Sequence, residues 1–318
     1  MQNHLRLGHK LIILVVLTAA VSVCVPSMLV IKLSTRTIER QVADLTRSQA
    51  HSGALAVQLK INDNIREVIG LSDRLTELEA GRDRREVVVR DWLNENPDAS
   101  MVGAGGDAPD GGWYTQRNEE TVNEPIPLLV GIHEHTPYGQ VLVNLERRDQ
   151  GPPLLVMTAN REGRMMVVTK WRLDPFSELL RDTRLGQTGY LMLVDQRGLL
   201  LAHPQLVTPG KEASPLKMGQ DLKDLELVRD AFSAKPPATR LSRYDNELGN
   251  RVVAAAALVP KPANSLNSTL HLAVIAQEPE REAMQDVVNM KRQVLLWGST
   301  TGLVAVLLGL AIVGQITR

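Results

Sequence analysis

The sequence is short of cysteine, of aromatic side chains and of net charge, and each shortage removes a class of function. One cysteine, Cys24, stands in 318 residues and lies inside an apolar run. No intrachain disulfide can form, and the polar part of the chain offers no thiolate nucleophile. Avoidance of cysteine suits an oxidising compartment such as a bacterial periplasm. Acidic and basic residues both number 36, so the formal net charge is zero and there is no basic field to hold nucleic acid by counterion release. Proline is absent from Leu33 to Asn96, which leaves that stretch free to be helical. Catalytic signatures are missing as well: there is no nucleophile elbow, phosphate loop, zinc-protease motif or carboxylate pair. Gly103 to Ala108 matches the dinucleotide pattern letter by letter. Pro109, Asp110, Gly111 and Gly112 follow where a helix should receive the pyrophosphate, so the segment reads as a loop, and the chain reads as a non-enzyme without cofactor.

What the chain does have is two apolar runs, residues 11–31 and 294–314, free of formal charge. Each holds about 20 residues, enough at about 1.5 Å per residue to cross about 30 Å of hydrocarbon. A cleaved signal peptide is the competing reading of the first run, yet the run is long and no small-x-small cleavage site ends it. A lipoprotein signal would want small residues before Cys24, where Val23 stands. For the second run the competitor is a buried core helix. Two spans place both termini on one side, and the long domain between them is expected outside a bacterial inner membrane. Gln315 to Arg318 resembles the start of a HAMP linker. That predicts either a truncated receptor or a sensor subunit that borrows a partner's cytoplasmic or membrane output.

From residue 32 to residue 96 a single stalk helix is expected, with apolar residues at Ile38, Val42, Leu45, Ile61, Ile65, Val68, Leu71, Leu75 and Leu78 in steps of three and four. That stripe either packs within the chain or pairs with a second copy as a homodimer. Beyond it the pattern changes to short strands. Residues 127–133, 140–145, 154–158 and 165–171 read as strands, and Asp174-Pro175 opens a helix with Asp174 as cap. A second copy follows. Strands are expected at 190–195 and 199–203 around the turn Asp195-Gln196-Arg197-Gly198, a helix at 221–232, strands at 239–244, 251–259 and 269–276, and a helix from Glu278 into the second span. The expected fold class is α+β: two PAS-like modules with antiparallel sheets on a long N-terminal helix, flanked by two transmembrane helices. The boundaries are 1–10 terminus, 11–31 span, 32–96 stalk, 97–185 distal module, 186–278 proximal module, 279–293 juxtamembrane helix, 294–314 span and 315–318 linker.

The segment from Gly186 through Gly189, Tyr190, Asp195, Gly198 and His203 to Pro204 resembles the signature of Cache domains, the extracytoplasmic sensors of bacterial chemoreceptors, histidine kinases and diguanylate cyclases. Its glycines have a structural reading in turning helix into strand and closing a hairpin, and His203 reads as structural. The order of spans, long helix and two modules is similar to the double Cache arrangement. The resemblance implies a small molecule bound in the distal module. It also implies an Arg-x-Trp-aromatic motif and an Asp for an amino-acid ammonium, and the chain departs from both. Gly111 precedes Trp113-Tyr114 where the Arg would be, and Lys170 stands where the Asp would be. An anionic or neutral ligand is therefore expected. Trp113, Tyr114, Arg117, His133, His135, Tyr138 and Lys170 are the candidate pocket residues. His133 and His135 share a strand face and suit a metal pair, but no third ligand is identifiable, so no metal is expected. The alternative function is a membrane-anchored adaptor whose outer domain binds a protein or envelope partner.

Overall fold

The structure, a computed structural model, describes residues 2–78, 82–105, 113–117, 141–148, 151–161, 165–183, 185–207, 216–233, 242–262, 265–266 and 270–316. The terminal helical segments, up to Asp44 and from Glu280, form one unit and the body between Leu45 and Pro279 the other.

In the body, helix α1 (Gln2–Glu77) supplies the spine. Ala50, Ala54, Val57, Ile61, Ile65, Val68, Leu71 and Leu75 are all buried in the main core, spaced by three and four as one helical face requires. Burial within the chain therefore accounts for most of the apolar stripe. The single stalk helix expected to reach residue 96 is two helices, because α1 stops at Glu77 and α2 (Arg82–Glu95) follows. The intervening sequence contains Gly81, the poorest helix former after proline.

Strands β1 (Ala99–Gly105), β2 (Trp113–Gln116), β3 (Val141–Glu146), β4 (Leu154–Arg161) and β5 (Met165–Trp171) form the distal sheet, with helix α3 (Asp174–Arg181) after them. The sequence from Gly103, expected as a loop, begins inside a strand: Gly103 and Gly105 pair with Val168 and Met166 of β5. Asp174 is not the cap of α3 but its first helical residue. Leu173 occupies the cap position, with no side-chain hydrogen bond.

The proximal sheet combines β6 (Tyr190–Asp195), β7 (Leu200–Ala202), β8 (Ser242–Asp245), β9 (Arg251–Leu258) and β11 (Leu272–Pro279) in the order β7-β6-β11-β9-β8, antiparallel throughout. The helix expected at 221–232 is confined to α4 (Glu226–Ala231). A two-residue strand, β10 (Ser265–Leu266), leaves the proximal module and pairs in parallel with β3. The distal sheet thus runs β10-β3-β4-β5-β1-β2 and carries a stitch from its neighbour.

One core joins the two sheets through the α1 face. It includes Val102, Met157, Val167 and Trp171 from the distal sheet and Leu191, Leu193, Val274 and Ala276 from the proximal one. Trp171 meets Trp92 of α2 edge to face at 5.5 Å and donates through Nε1 to Thr169 Oγ1 at 2.9 Å. In the terminal unit, α5 (Glu280–Ala283) leads to α6 (Gln285–Ile316). Residues 285–312 of α6 are long and apolar enough to cross a membrane, with a mean hydropathy of 1.9. Leu295, Trp297, Leu303 and Leu308 are exposed, as are Ile13, Leu17, Met28 and Leu29 of α1, so neither apolar segment is a protein core.

Candidate functional site

Strand alternation gives the distal sheet an inner face toward α1 and an outer face on the far side. Val167 and Trp171 point inward into the core, so Met166, Val168 and Lys170 of β5 line the outer face. The register sets Val156 and Thr158 of β4 opposite Lys170 and Val168, and Met101 and Gly103 of β1 on their other side. A sheet with one solvated face would alternate buried and exposed positions. This one does not: Val156 and Thr158 are 1% exposed, Val168 6% and Met101 7%. Both faces are covered.

Among the polar groups of this outer face, which include Asn144 and Glu146 of β3 and Gln116 of β2, two bear on a ligand. Lys170 is half-buried, and its Nζ lies 2.7 Å from Glu146 Oε2 and 3.0 Å from Oε1. Thr158 Oγ1 is buried with no hydrogen-bond partner among the described residues. A buried hydroxyl left unpaired costs about 1–3 kcal/mol, and native structures rarely keep one without a reason. The face is therefore apolar in the main, with one ion pair at its margin and one open donor and acceptor in its middle. That chemistry suits a small organic molecule.

The other expected pocket residues divide. Trp113 and Tyr114 hold register positions opposite Ala104 and Gly103 at the β2 edge. Arg117 belongs elsewhere. Its Nη2 donates to the carbonyls of Leu93 and, at 2.7 Å, Asn96, and its Nε donates to Ala99 at 3.3 Å. It closes the C-terminal end of α2, whose last carbonyls lack partners within the helix, and so has a structural role whatever else it does. His133, His135 and Tyr138 lie outside the described residues. Glu146 and Thr158 were missed from sequence. Thr158 had a faint signal, two residues from Val156 on the same strand face, but an acid pairing across three strands had none.

The proximal module carries the second polar cluster, built on the signature residues. The Asp195 turn is closed by its own side chain: Oδ1 accepts from the backbone N–H groups of Arg197 at 2.9 Å and Leu199 at 2.8 Å. Gly198 adopts φ 84°, and a Cβ there would stand 2.6 Å from Lys223 backbone. Gly186, at φ 61°, and Gly189 precede β6, and Pro204 opens a single 3-10 turn, Pro204–Val207. His203 Nδ1 accepts the backbone N–H of Gln205 at 3.1 Å, so its proton resides on Nε2 and faces Glu247 Oε1 at 3.3 Å. The Glu247 carboxylate, fully buried, also accepts the Tyr190 hydroxyl and the Gln277 amide at 3.0 and 3.2 Å. Tyr190 packs on His203 edge to face at 4.6 Å and receives a hydrogen bond from Asn246 at 3.2 Å. Burial alone would raise the Glu247 pKa, but the donors from His203, Tyr190 and Gln277 outweigh it and hold the carboxyl below its ordinary range. Burial first, and then the adjacent Glu247 charge, push the Tyr190 hydroxyl upward. With its protons fixed, this cluster locks a turn onto a sheet. No group of three potential metal ligands occurs among the described residues.

Family models and curated proteins give no match to the sequence. Solved structures do. The extracellular domain of mmHK1S-Z2, named as a histidine kinase, is 14% identical, with a TM-score of 0.54 over 77% of this chain and 99% of that one. The ligand-binding domain of the Campylobacter jejuni chemoreceptor Tlp3, in complex with 4-methylisoleucine, is 10% identical, with a TM-score of 0.53 over 77% and 94%. The ligand-binding domain of Mlp24 with asparagine is 14% identical, with a TM-score of 0.50 over 79% and 98%. At such identities the likeness is one of fold. The chain has the fold of the extracytoplasmic sensor domains of chemoreceptors and histidine kinases, the double Cache arrangement that its Gly186 to Pro204 segment resembles.

Proposed function

We propose that the chain is a membrane-anchored sensor, not an enzyme, which binds a small anionic or neutral molecule on the outer face of its distal sheet. The observation that carries this reading is the buried, unpartnered hydroxyl of Thr158 beside Lys170 on a face already withdrawn from water. A ligand carbonyl or hydroxyl would pair with Thr158, and a ligand carboxylate would compete with Glu146 for Lys170. Differential affinity for two states of the distal module would shift their populations. The shift would reach the far side of the inner membrane as a helix displacement of about 1–2 Å in α6, with residues 11–31 of α1 as the second span. Leu45, Leu55 and Leu59, exposed on α1 outside that span, are the surface through which two copies would pair.

The test is a thermal-shift screen of the full chain in detergent against carboxylates, polyols and amino acids. A small anionic or neutral molecule is expected to give saturable stabilisation, about 2.7 kcal/mol at a hundredfold excess over Kd, and Lys170→Ala is expected to weaken it. An ordinary amino acid that binds, and binds less well to Lys170→Asp, would overturn the ligand class. Copurification of a protein partner, with no small molecule stabilising the chain, would favour the adaptor.

A further inference from the structure

A second concave site lies where the two modules of the body meet. A cleft of about 450 Å³ opens between the connection that follows β3 and the loop before α4, lined by Arg147, Arg148 and Pro153 on one side and Lys217, Met218 and Gln220 on the other. A smaller cavity of about 220 Å³ shares Arg147 and Leu199 with it and adds Arg197 from the β6–β7 turn. Four cations thus come together from three separate connections of the fold. The one carboxylate in the two linings is Asp195, and its Oδ1 is occupied by backbone N–H groups.

What sets this place apart is that its cations converge on one concavity. Several cations elsewhere on the described surface sit against acids: Arg66 with Asp63, Arg90 with Glu86, Lys223 with Asp221, Arg251 with Asp245. In the cleft, Arg148 and Lys217 have no carboxylate partner among the described residues, nor has Arg197 in the smaller cavity, and Arg147 touches none but acts through space on Asp221. Against zero net charge over the whole chain, four cations to one carboxylate in the two linings make a local positive excess that attracts anions.

We infer that this cleft binds a small oxyanion of two or more charges, a phosphate ester or a polycarboxylate, independently of the distal pocket. Guanidinium groups offer planar paired donors that match either oxyanion, and the lysine adds a point charge. The volume is in the range of small-molecule sites. A ligand held here would touch both modules at once. Its binding would therefore stiffen the junction, and it goes beyond the sensing site proposed above, with which the larger cleft shares no lining residue.

Calorimetric titration of the full chain in detergent with pyrophosphate and with citrate, at constant ionic strength and against a chloride control, tests this. Saturable binding of one of them is expected, and the preferred probe identifies phosphate or carboxylate as the recognised group. Arg148→Ala and Lys217→Ala, both at exposed positions and expected to unfold as the parent does, should each weaken binding about tenfold or more, since a charge-assisted hydrogen bond contributes about 1.5–3 kcal/mol. Lys170→Ala should leave it unchanged. No saturable binding by either probe, or binding that survives both cleft substitutions, overturns the inference. Loss of binding in Lys170→Ala would move the anion to the distal pocket and overturn it equally.

Discussion

The two sheets of the body are built alike and finished differently. Each turns an inner face to α1, and each has an outer face that is buried. In the proximal module that outer face is filled by the chain itself: Leu216, Leu222, Leu227 and Val228 cover Met192, Val194 and Ile275. Its polar end is closed by Glu247, His203, Tyr190 and Gln277 acting on one another. The distal outer face has a small apolar cluster of Val156 and Val168 with Met166, and beside it a hydroxyl that nothing satisfies. The proximal cluster also leaves one buried atom open, Gln277 Oε1, but its carboxylate and its hydroxyl and amide donors are paired with one another. On the distal face the open hydroxyl lies beside apolar side chains and a lysine, where a ligand group that paired with it would recover the lost hydrogen bond. The proposed sensing surface is therefore the distal sheet, and the paired cluster gives the proximal sheet its rigidity.

The sharpest way to break this comparison is to open the proximal cluster. Glu247→Ala removes the acceptor shared by three buried donors and should cost about 3–5 kcal/mol in urea unfolding, the size expected when one partner of a buried charged network is deleted. Glu247→Gln, which keeps the shape and part of the bonding, should cost less. The pH dependence has a definite sign. Because the folded pKa of Glu247 is lowered, the unfolded chain binds the proton more readily, and the carboxylate's contribution is fully present above the ordinary value of 4.5. It is lost as pH falls below that value through the lowered folded pKa. Unfolding free energy measured against pH should therefore slope downward toward acid, and the slope should flatten in Glu247→Gln. A loss of similar size on removing the polar side chain of Thr158 would erase the distinction between the modules.

A middle-sized effect is expected where α1 crosses the proximal sheet. Gly53 packs so closely that a Cβ would stand 2.4 Å from Leu191 Cδ2 and 3.0 Å from Val274 Cγ1. Gly53→Ala gains helix propensity of about 1 kcal/mol but must displace both side chains, and overpacking of this kind costs about 1–3 kcal/mol. A net destabilisation, read by thermal unfolding, is the expected outcome. Gly70 is a control on the same helix. No atom lies within 4 Å of its added Cβ, so Gly70→Ala should stabilise. If both substitutions stabilised, the proximal sheet would not be the tightly packed partner.

These differences were only partly visible in the sequence, and the reason is range. Strands β5 and β6 were legible to the residue because each is a short apolar run bounded by its own turn chemistry. The helical face on α1 was legible for the same reason. Strand β1 was not, because Gly103, Gly105 and the glycines beyond them signal a loop locally, whereas pairing with β5 and β2 makes the strand. Strand β10 is two residues long and exists only through its contact with β3. Among site residues, the signature gave Tyr190 and His203 but hid their purpose, since Glu247 comes from a turn 44 residues after His203. The structural bonds of Arg117 were invisible because sequence cannot show which carbonyls a guanidinium reaches.

The smallest expected effect falls on the distal face and decides most about function. Thr158→Val exchanges a hydroxyl for a methyl of nearly the same shape. Where the hydroxyl is satisfied, the exchange destabilises. Here it removes an unpaired polar atom that is 1% exposed, so the free chain should be unchanged or more stable by up to about 1 kcal/mol in chemical unfolding. The same substitution should reduce the stabilisation that the distal ligand confers, because the ligand loses its partner. The two readings move in opposite directions, which a merely structural threonine would not produce. Thr169, on the inner face, is the internal comparison. Its hydroxyl accepts from Trp171 Nε1 at 2.9 Å, so Thr169→Val should destabilise the chain and leave ligand binding intact.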